Sequence, residues 1–413
     1  MSALNVRMVP ISLLGEVLLG KMVQPSRKNE TDELRPYLRA AHLPAPGTLS
    51  LDVSEQQMYF SPHEIDRLDL RKSDVVIVEG GAGYGRSAYL DNDLDGWGFQ
   101  NSIVRVRAYP GVSVGKYVYY ALQHAQLDRQ IELEVSTATL PHFTAEKVGR
   151  FRIPLPPFTT QRAIVDYLDR ETAEIDAMTA DLDKMEALLT ERRGSIVRTH
   201  LLPEGKEYTR VKLKAAVSLG KTVQSKQKNA EEVQRNYVRA AHIQPHGRLA
   251  LDEQPMWFTT SELEQLSLRA NDVLVVEGGA GYGRSVVLKE DLPEWGFQNH
   301  VIRVRPNPGV VGEFIHYTFL AHYNAGLIDL LADGATIPAL SSDKARELPI
   351  LSVDEHCQRK IVDIVERETA EIDAMLADIT ELRDLLAERR AALIAAAVTG
   401  QINIPAAEEP THA

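Results

Sequence analysis

Apolar positions fall into two long seven-residue rows. Leu168, Ile175, Leu182, Leu189 and Ile196 recur every seventh position, with Ile164, Met178 and Met185 at a second apolar position. Val365, Ile372, Ile379, Leu386 and Leu393 repeat the row, accompanied by Ile361, Met375 and Leu382. Charged residues flank both rows, the pattern of a helix with an a/d seam. The first helix is predicted to start near Thr160, after the Pro-rich PLPPFTT stop. Each helix is predicted to run roughly 40 residues, about 60 Å at 1.5 Å per residue. One small domain cannot cover that length, so the two seams are expected to pack on each other. Pairing between molecules is the alternative, but a second helix in the same chain has the higher effective concentration. An antiparallel pair would set two globular units at opposite ends of a rod acting as a ruler. It would also let Glu171 and Glu368 approach Arg192 and Arg389, unless these stay at solvated ends.

Outside the helices the pattern turns strand-like. Short apolar runs at Asp74–Val78, Ile103–Val106, Asp272–Val276 and Val301–Val304 alternate with Gly-, Pro- and Asn-rich turns. Val114–Leu127 and Glu313–Leu331 read as helices. Regular strand–helix alternation is missing, so the fold class is α+β rather than a doubly wound sheet.

The pattern repeats because the chain repeats. Tyr37–His42 (YLRAAH) returns at Tyr237–His242 (YVRAAH), and Val78–Ser87 (VEGGAGYGRS) returns unchanged at Val276–Ser285. WGFQN stands at Trp97–Asn101 and Trp295–Asn299, and ETAEIDAM at Glu171–Met178 and Glu368–Met375. The offset drifts from 200 through 198 to 197, so single-residue indels separate the copies. A unit this long is a duplicated domain plus helix, not a solenoid repeat. Duplication can simply enlarge a protein, but a pseudo-twofold chain also suits a twofold ligand such as duplex DNA.

Composition changes little: 44% hydrophobic and 25% charged is that of a soluble globular protein. The apolar stretch Met8–Leu19 is interrupted by Gly15 and Glu16 and reads neither as a membrane span nor as a signal peptide. The single cysteine, Cys357, excludes an internal disulfide framework and fits a cytoplasmic protein. The net charge of −12 looks wrong for a nucleic-acid binder. Segments 166–193 and 363–390 each hold nine acidic and four basic residues, and Glu408 and Glu409 complete the excess. The globular units are neutral overall, so the acidity argues neither for nor against DNA.

Candidate chemistry sits on the repeated loops. GGAGYGR follows an apolar strand at Gly80–Arg86 and again at Gly278–Arg284. Glycines allow close backbone approach to a phosphate or a groove. Tyr84, Arg86, Tyr282 and Arg284 are candidates to stack on or bond to bases, with Gly83 and Gly281 beside them. A tight β-turn with purely geometric glycines is the alternative. A dinucleotide fingerprint would need a helix immediately afterwards, where AYLDNDLDGWG and VVLKEDLPEWG stand. A kinase loop would need HRD and DFG motifs, which do not occur. Gly15–Lys21 (GEVLLGK) imitates a phosphate loop, but Met22 replaces its Ser or Thr, and Ala215 replaces the first glycine of the second copy.

Basic and amide residues cluster at Lys21, Gln24, Arg27 and Lys28 and at Lys221, Gln224, Lys226 and Lys228. Arg39 and His42 match Arg239 and His242, and Gln100 and Asn101 match Gln298 and Asn299. Such side chains hold phosphates or read guanine and adenine edges. Singly, the lysines read as solvated and the histidines as core residues; repetition in both copies shifts them toward DNA contact. No Asn/Asp-Pro-Pro-Tyr/Phe motif for adenine methylation, no metal-ligand spacing and no nucleophile–base pair is recognisable.

The order globular unit, long helix, globular unit, long helix resembles the specificity subunit of type I restriction–modification enzymes across nearly the whole chain. The resemblance rests on KSDVVIVEGGAGYGRS and ANDVLVVEGGAGYGRS, on ATLPHF and ATIPAL at Ala138 and Ala335, and on the P-x-x-x-x-Q-x-x-I-V entry to each helix. Pro349 stands further from Gln358 than this pattern asks. The resemblance implies target-recognition domains at 1–157 and 205–354, spacer helices at 158–204 and 355–404 forming an antiparallel coiled coil, and a tail at 405–413. It implies a non-catalytic subunit that reads a split sequence in double-stranded DNA, with no membrane role. It also implies docking of two methyltransferase subunits, which carry S-adenosylmethionine and methylate adenine. A motor-nuclease restriction subunit would use ATP and Mg, and this chain would bind no cofactor or metal. Family members usually carry dissimilar recognition domains; near-identical copies imply a nearly palindromic bipartite target. A coiled-coil adaptor that binds protein rather than DNA is the rival reading.

Overall fold

The computed structural model describes residues 7–52, 56–135, 141–279, 281–331, 339–402 and 404. The first residues of the ATLPHF and ATIPAL segments, Ala280 of the second glycine loop and the 405–413 tail lie outside them. The chain divides into two compact units, one of Met1–Asp181 with Leu382–Ala413, the other of Leu182–Glu381. Each unit therefore owns one globular copy and a portion of both long helices.

In the first unit an antiparallel four-stranded sheet runs in the order Gly15–Leu19, Ile103–Ala108, Val75–Val78, Ser87–Tyr89. Strand Val75–Val78 is apolar throughout because both of its faces are buried. Val75 and Ile77 enter one core with Val104 and Val106, while Val76 and Val78 enter another with Leu18 and Ile103. Helix Gly115–Leu127 closes the first core with Tyr117, Val118, Ala121 and Leu122. A three-stranded sheet, Gln57–Phe60, Glu33–Leu38, Gly98–Phe99, closes the second; its last pairing is parallel. The second unit repeats this with the sheet Ala215–Leu219, Val301–Pro306, Val273–Val276, Ser285–Val287. Its packing helix, Gly312–Asn324, stops before Gly326 at φ +72°, and a short helix, Leu327–Leu331, follows, so the expected single helix is broken.

The long helices span Phe158–Leu201 and Glu355–Val398, close to their predicted extents. Their entry explains the glutamine of the P-x-x-x-x-Q pattern. Gln161 is fully buried, its Oε1 accepting from Val114 N at 3.0 Å and its Nε2 donating to Pro156 O at 3.0 Å. Gln358 makes the equivalent bond from Val311 N at 2.9 Å and donates to Val353 O at 3.1 Å. One amide thus ties each long helix to the start of the packing helix.

In the second unit the helices are antiparallel: Arg193 pairs with Asp373 at 2.6 Å and His200 with Glu368 at 3.0 Å. In the first unit Arg390 pairs with Asp176. Ile394, Ala397 and Val398 enter the core that holds Ile164, Val165 and Leu168. The expected Glu171–Arg389 approach closes only to 4.0 Å, and the partner of Glu368 is a histidine instead of an arginine.

The primary row behaves as expected. Leu168, Ile175, Val365, Ile372 and Ile379 are buried, and Leu182, Leu189 and Leu386 are half-buried. The second row holds only at its start, where Ile164 is buried and Ile361 half-buried; Met178, Met185, Met375 and Leu382 are exposed. Thr172 and Thr369 take that place, four residues after Leu168 and Val365, each hydroxyl donating to the carbonyl four residues back at 2.7 and 2.9 Å. The buried face thus turns toward i+4, and the methionines turn outward.

Candidate nucleic-acid interface

Backbone pairing gathers the repeated motifs at one end of each four-stranded sheet. In the first copy Gln100 N donates to Leu38 O at 2.9 Å, Asn101 N to Lys21 O at 2.9 Å, and Glu79 N to Ser102 O at 2.9 Å. Arg39, the glycine loop, Gln100, Asn101 and Lys21 therefore share one neighbourhood. The same bonds place Arg239, Gly281, Gln298, Asn299 and Lys221 together in the second copy. The glycine loop is pinned at its base by Val78 N donating to Arg86 O and Gly85 N to Val78 O. Its tip needs glycine: Gly81 and Gly279 sit at φ +80° and +87°, and a Cβ on either would meet open space. The tip is thus bare backbone, suited to close approach by a ligand.

Several candidates are spent on the scaffold. Lys21 Nζ donates to Glu64 at 2.6 Å, Gln24 Oε1 at 3.0 Å and Tyr59 O at 3.0 Å, over the Phe60 ring. All three of its protons have partners, and Lys221 repeats the arrangement with Glu262 and Trp257 O. Gln24 and Gln224 are buried, donating to Asp32 and Glu232, each at 2.9 Å. Asp32 Oδ2 also accepts from Lys28 N at 3.0 Å and Asn29 N at 3.1 Å, and those bonds hold its carboxyl below the usual carboxylate range. Glu232 does the same with Lys228 N and Asn229 N, and its carboxyl is lowered for the same cause. The buried acid and amide shape the loop, and Arg27, Lys28, Lys226 and Lys228 remain exposed on it.

The histidines are core groups. His42 is fully buried with its ring edge on Trp97, and burial pushes its pKa down, leaving no charge for a phosphate. His242 is equally buried, with Nε2 at 2.6 Å from Asp252 Oδ1, and Arg239 pairs with the same carboxylate. Tyr84 is half-buried and packs on the first core, and Tyr282 is half-buried with its hydroxyl donating to Asp329. Arg86 Nη1 caps Pro44 O at 2.8 Å, whereas Arg284 is exposed. Gln100, Asn101, Gln298 and Asn299 are half-buried at the rim.

Two features escaped the sequence reading. One is the Asp32/Glu232 staple, visible only as an acid at the same place in both copies. The other is Glu79, whose Oε2 lies 3.0 Å from His142 Nδ1, and Glu277, whose Oε2 lies 3.3 Å from His300 Nδ1. Both glutamates were inside the repeated motif, but their histidines come from non-equivalent positions. Among the described residues no group of three or more acidic, His or Cys side chains could hold a metal ion, and no helix is long and apolar enough to cross a membrane.

The family model described as the type I restriction modification DNA specificity domain matches residues 14–187. No curated protein matches by sequence. Among solved structures, a chain from a study of complex assembly and conformational transition of the type I R-M system is 16% identical. It aligns over 97% of this chain and 100% of its own length, with a TM-score of 0.64. The HsdS subunit from Thermoanaerobacter tengcongensis is also 16% identical, over 97% and 98%, with a TM-score of 0.42. A type I S subunit from M. genitalium gives 16%, 96% and 97%, and a TM-score of 0.39. At these identities the first likeness is one of fold.

Proposed function

We propose, from the match of residues 14–187 to the type I restriction modification DNA specificity domain, that the chain is the DNA-recognition subunit of a type I restriction–modification complex. Each copy reads one half of a bipartite, nearly palindromic target in double-stranded DNA. The observation that carries this is the recurrence of one bare glycine loop, one FQN rim and one stapled loop bearing Lys28 or Lys228 at the same end of each sheet. Lys28, Lys228 and Arg284 supply phosphate or guanine contacts, and the amides of Gln100, Asn101, Gln298 and Asn299 face bases.

The chain itself catalyses nothing in this reading. Methyltransferase partners bring S-adenosylmethionine, a restriction partner brings ATP and Mg, and the assembly works in the cytoplasm. The outward apolar residues fit two copies of one partner. The first unit exposes Met178, Leu382 and Leu385; the second exposes their counterparts Met375, Met185 and Leu188.

The test is reconstitution with the methyltransferase subunits, followed by sequencing of the modified bases. Two similar, inverted half-sites are expected. Two unrelated half-sites overturn the symmetry, and a complex with no DNA affinity at low salt overturns recognition in favour of a protein-binding adaptor.

A further inference from the structure

The glycine loops share one backbone frame in the two copies, but the glutamate that opens each takes its histidine partner from a different position. Glu79 lies between two neighbouring segments: its N–H donates to Ser102 O at 2.9 Å and its carbonyl accepts from Phe143 N at 2.7 Å. Glu277 is held identically, by His300 O at 2.9 Å and Leu340 N at 2.7 Å. Position 102 thus corresponds to 300, and position 142 to 339, as the bridges Gly80–His142 and Gly278–Ala339 confirm. The first copy carries Ser102 and His142; the second carries His300 and Ala339. Each copy has one histidine on its glutamate, delivered from opposite sides.

Two different routes to the same pair mean that the pair matters more than either histidine's position. Both carboxylates are partly open, at 17% and 23% exposure, and both rings are exposed. No Nε2 partner exists for either ring among the described residues. A carboxylate beside bound DNA is repelled by phosphates, but being acceptor-only it can pair with a base amino group, and cytosine is the usual partner of Glu in the major groove. Resting on the recognition reading above, we propose that Glu79 and Glu277 are base-reading carboxylates that accept from a cytosine amino group. Each is positioned by its histidine, whose different origin makes the half-sites diverge at the neighbouring base pair.

The test uses the complex reconstituted with its methyltransferase subunits and a library of DNA duplexes varied at every target position. E79Q keeps the shape and adds a donor; it should lower discrimination about tenfold or more at one position of one half-site. E277Q should do so at the matching position of the other. The double variant S102H/H142A gives the first copy the second copy's arrangement, and its half-site should acquire the second half-site's preference beside the cytosine. An unchanged target in E79Q and E277Q, or a uniform loss over all sequences, overturns this proposal alone. A wild-type complex with no two-part target overturns the recognition reading and this proposal with it.

Discussion

Arg105 and Arg303 occupy the same strand position in the two copies, but their surroundings differ. Arg105 is fully buried, pairing with Glu16 at 2.5 Å and Asp69 at 3.0 Å over the Phe99 ring. In the second copy Ala216 and Ser267 replace those acids, and Arg303 Nη1 donates to Ser267 O at 2.6 Å. Burial pushes the Arg303 guanidinium down to about 10, with Arg305 pushing the same way. Replacing a poorly compensated buried charge by an apolar side chain is neutral or stabilising, whereas removing a partner from a buried pair costs stability. R303L is therefore expected to leave amide-exchange protection of Ile302 and Val304 unchanged or raised. R105L should lower protection of Val104 and Val106 by about 1–3 kcal/mol; equal losses in both would contradict this. The Asp32 staple makes a second prediction. Its carboxyl is lowered in the folded loop, so the stabilisation is full above the ordinary carboxylate range and is lost as pH falls through the lowered value. Exchange at the Lys28 and Asn29 amides, corrected for intrinsic rate, should accelerate only on that acid side, and D32N should show it already at neutral pH. These acids show why residue identity alone does not separate the lysines and glutamines held by the scaffold from those left exposed. Lys21 and Gln24 have the chemistry of DNA readers, and only a carboxylate 43 positions away in sequence, Glu64, shows that Lys21 is occupied.

At the scale of elements, the long helices were the most legible part, because an apolar row kept to a seven-residue period over five repeats fits a long packed helix and no strand or loop. Their buried face was less legible. Thr172 and Thr369 stand four residues after Leu168 and Val365 and join the buried face, because a hydroxyl can hide its polarity in its own helix. The glycine loops were legible as loops, but the Glu–His pairs were not, since a contact supplied from different positions leaves no repeated motif. Helix register makes its own prediction. Asp176 and Arg193 are 17 positions apart on the first helix, as are Asp373 and Arg390 on the second, and they form the Arg193–Asp373 and Arg390–Asp176 pairs. A heptad inserted after Asp181 lengthens only one of these intervals, so both pairs cannot form together. That variant should lose stability or assembly. A matching heptad after Glu381 should restore both. In the restored protein the proposed target spacer should grow by about 10 Å, or roughly three base pairs. Restored folding with an unchanged spacer would leave the helices without a measuring role.

For the whole molecule, the question is how a chain of net charge −12 holds a polyanion. The proposed answer is segregation: the acidic excess lies on the long helices, and the stapled loops present Arg27 and Lys28 or Lys226 and Lys228. Global charge therefore predicts slow, weakly steered association, while the local cations set how binding responds to salt. Each phosphate neutralised contributes a slope of about −0.9 to the dependence of log affinity on log salt. K28A/K228A in the reconstituted complex should make that slope shallower by about two and weaken binding evenly over all sequences, because phosphate contacts carry no base information. E79Q should do the opposite, changing preference at one position with the salt slope unaltered. The two variants thus separate holding from reading on the same protein. A K28A/K228A complex that kept its slope would move the phosphate contacts to other cations, Arg284 first among them.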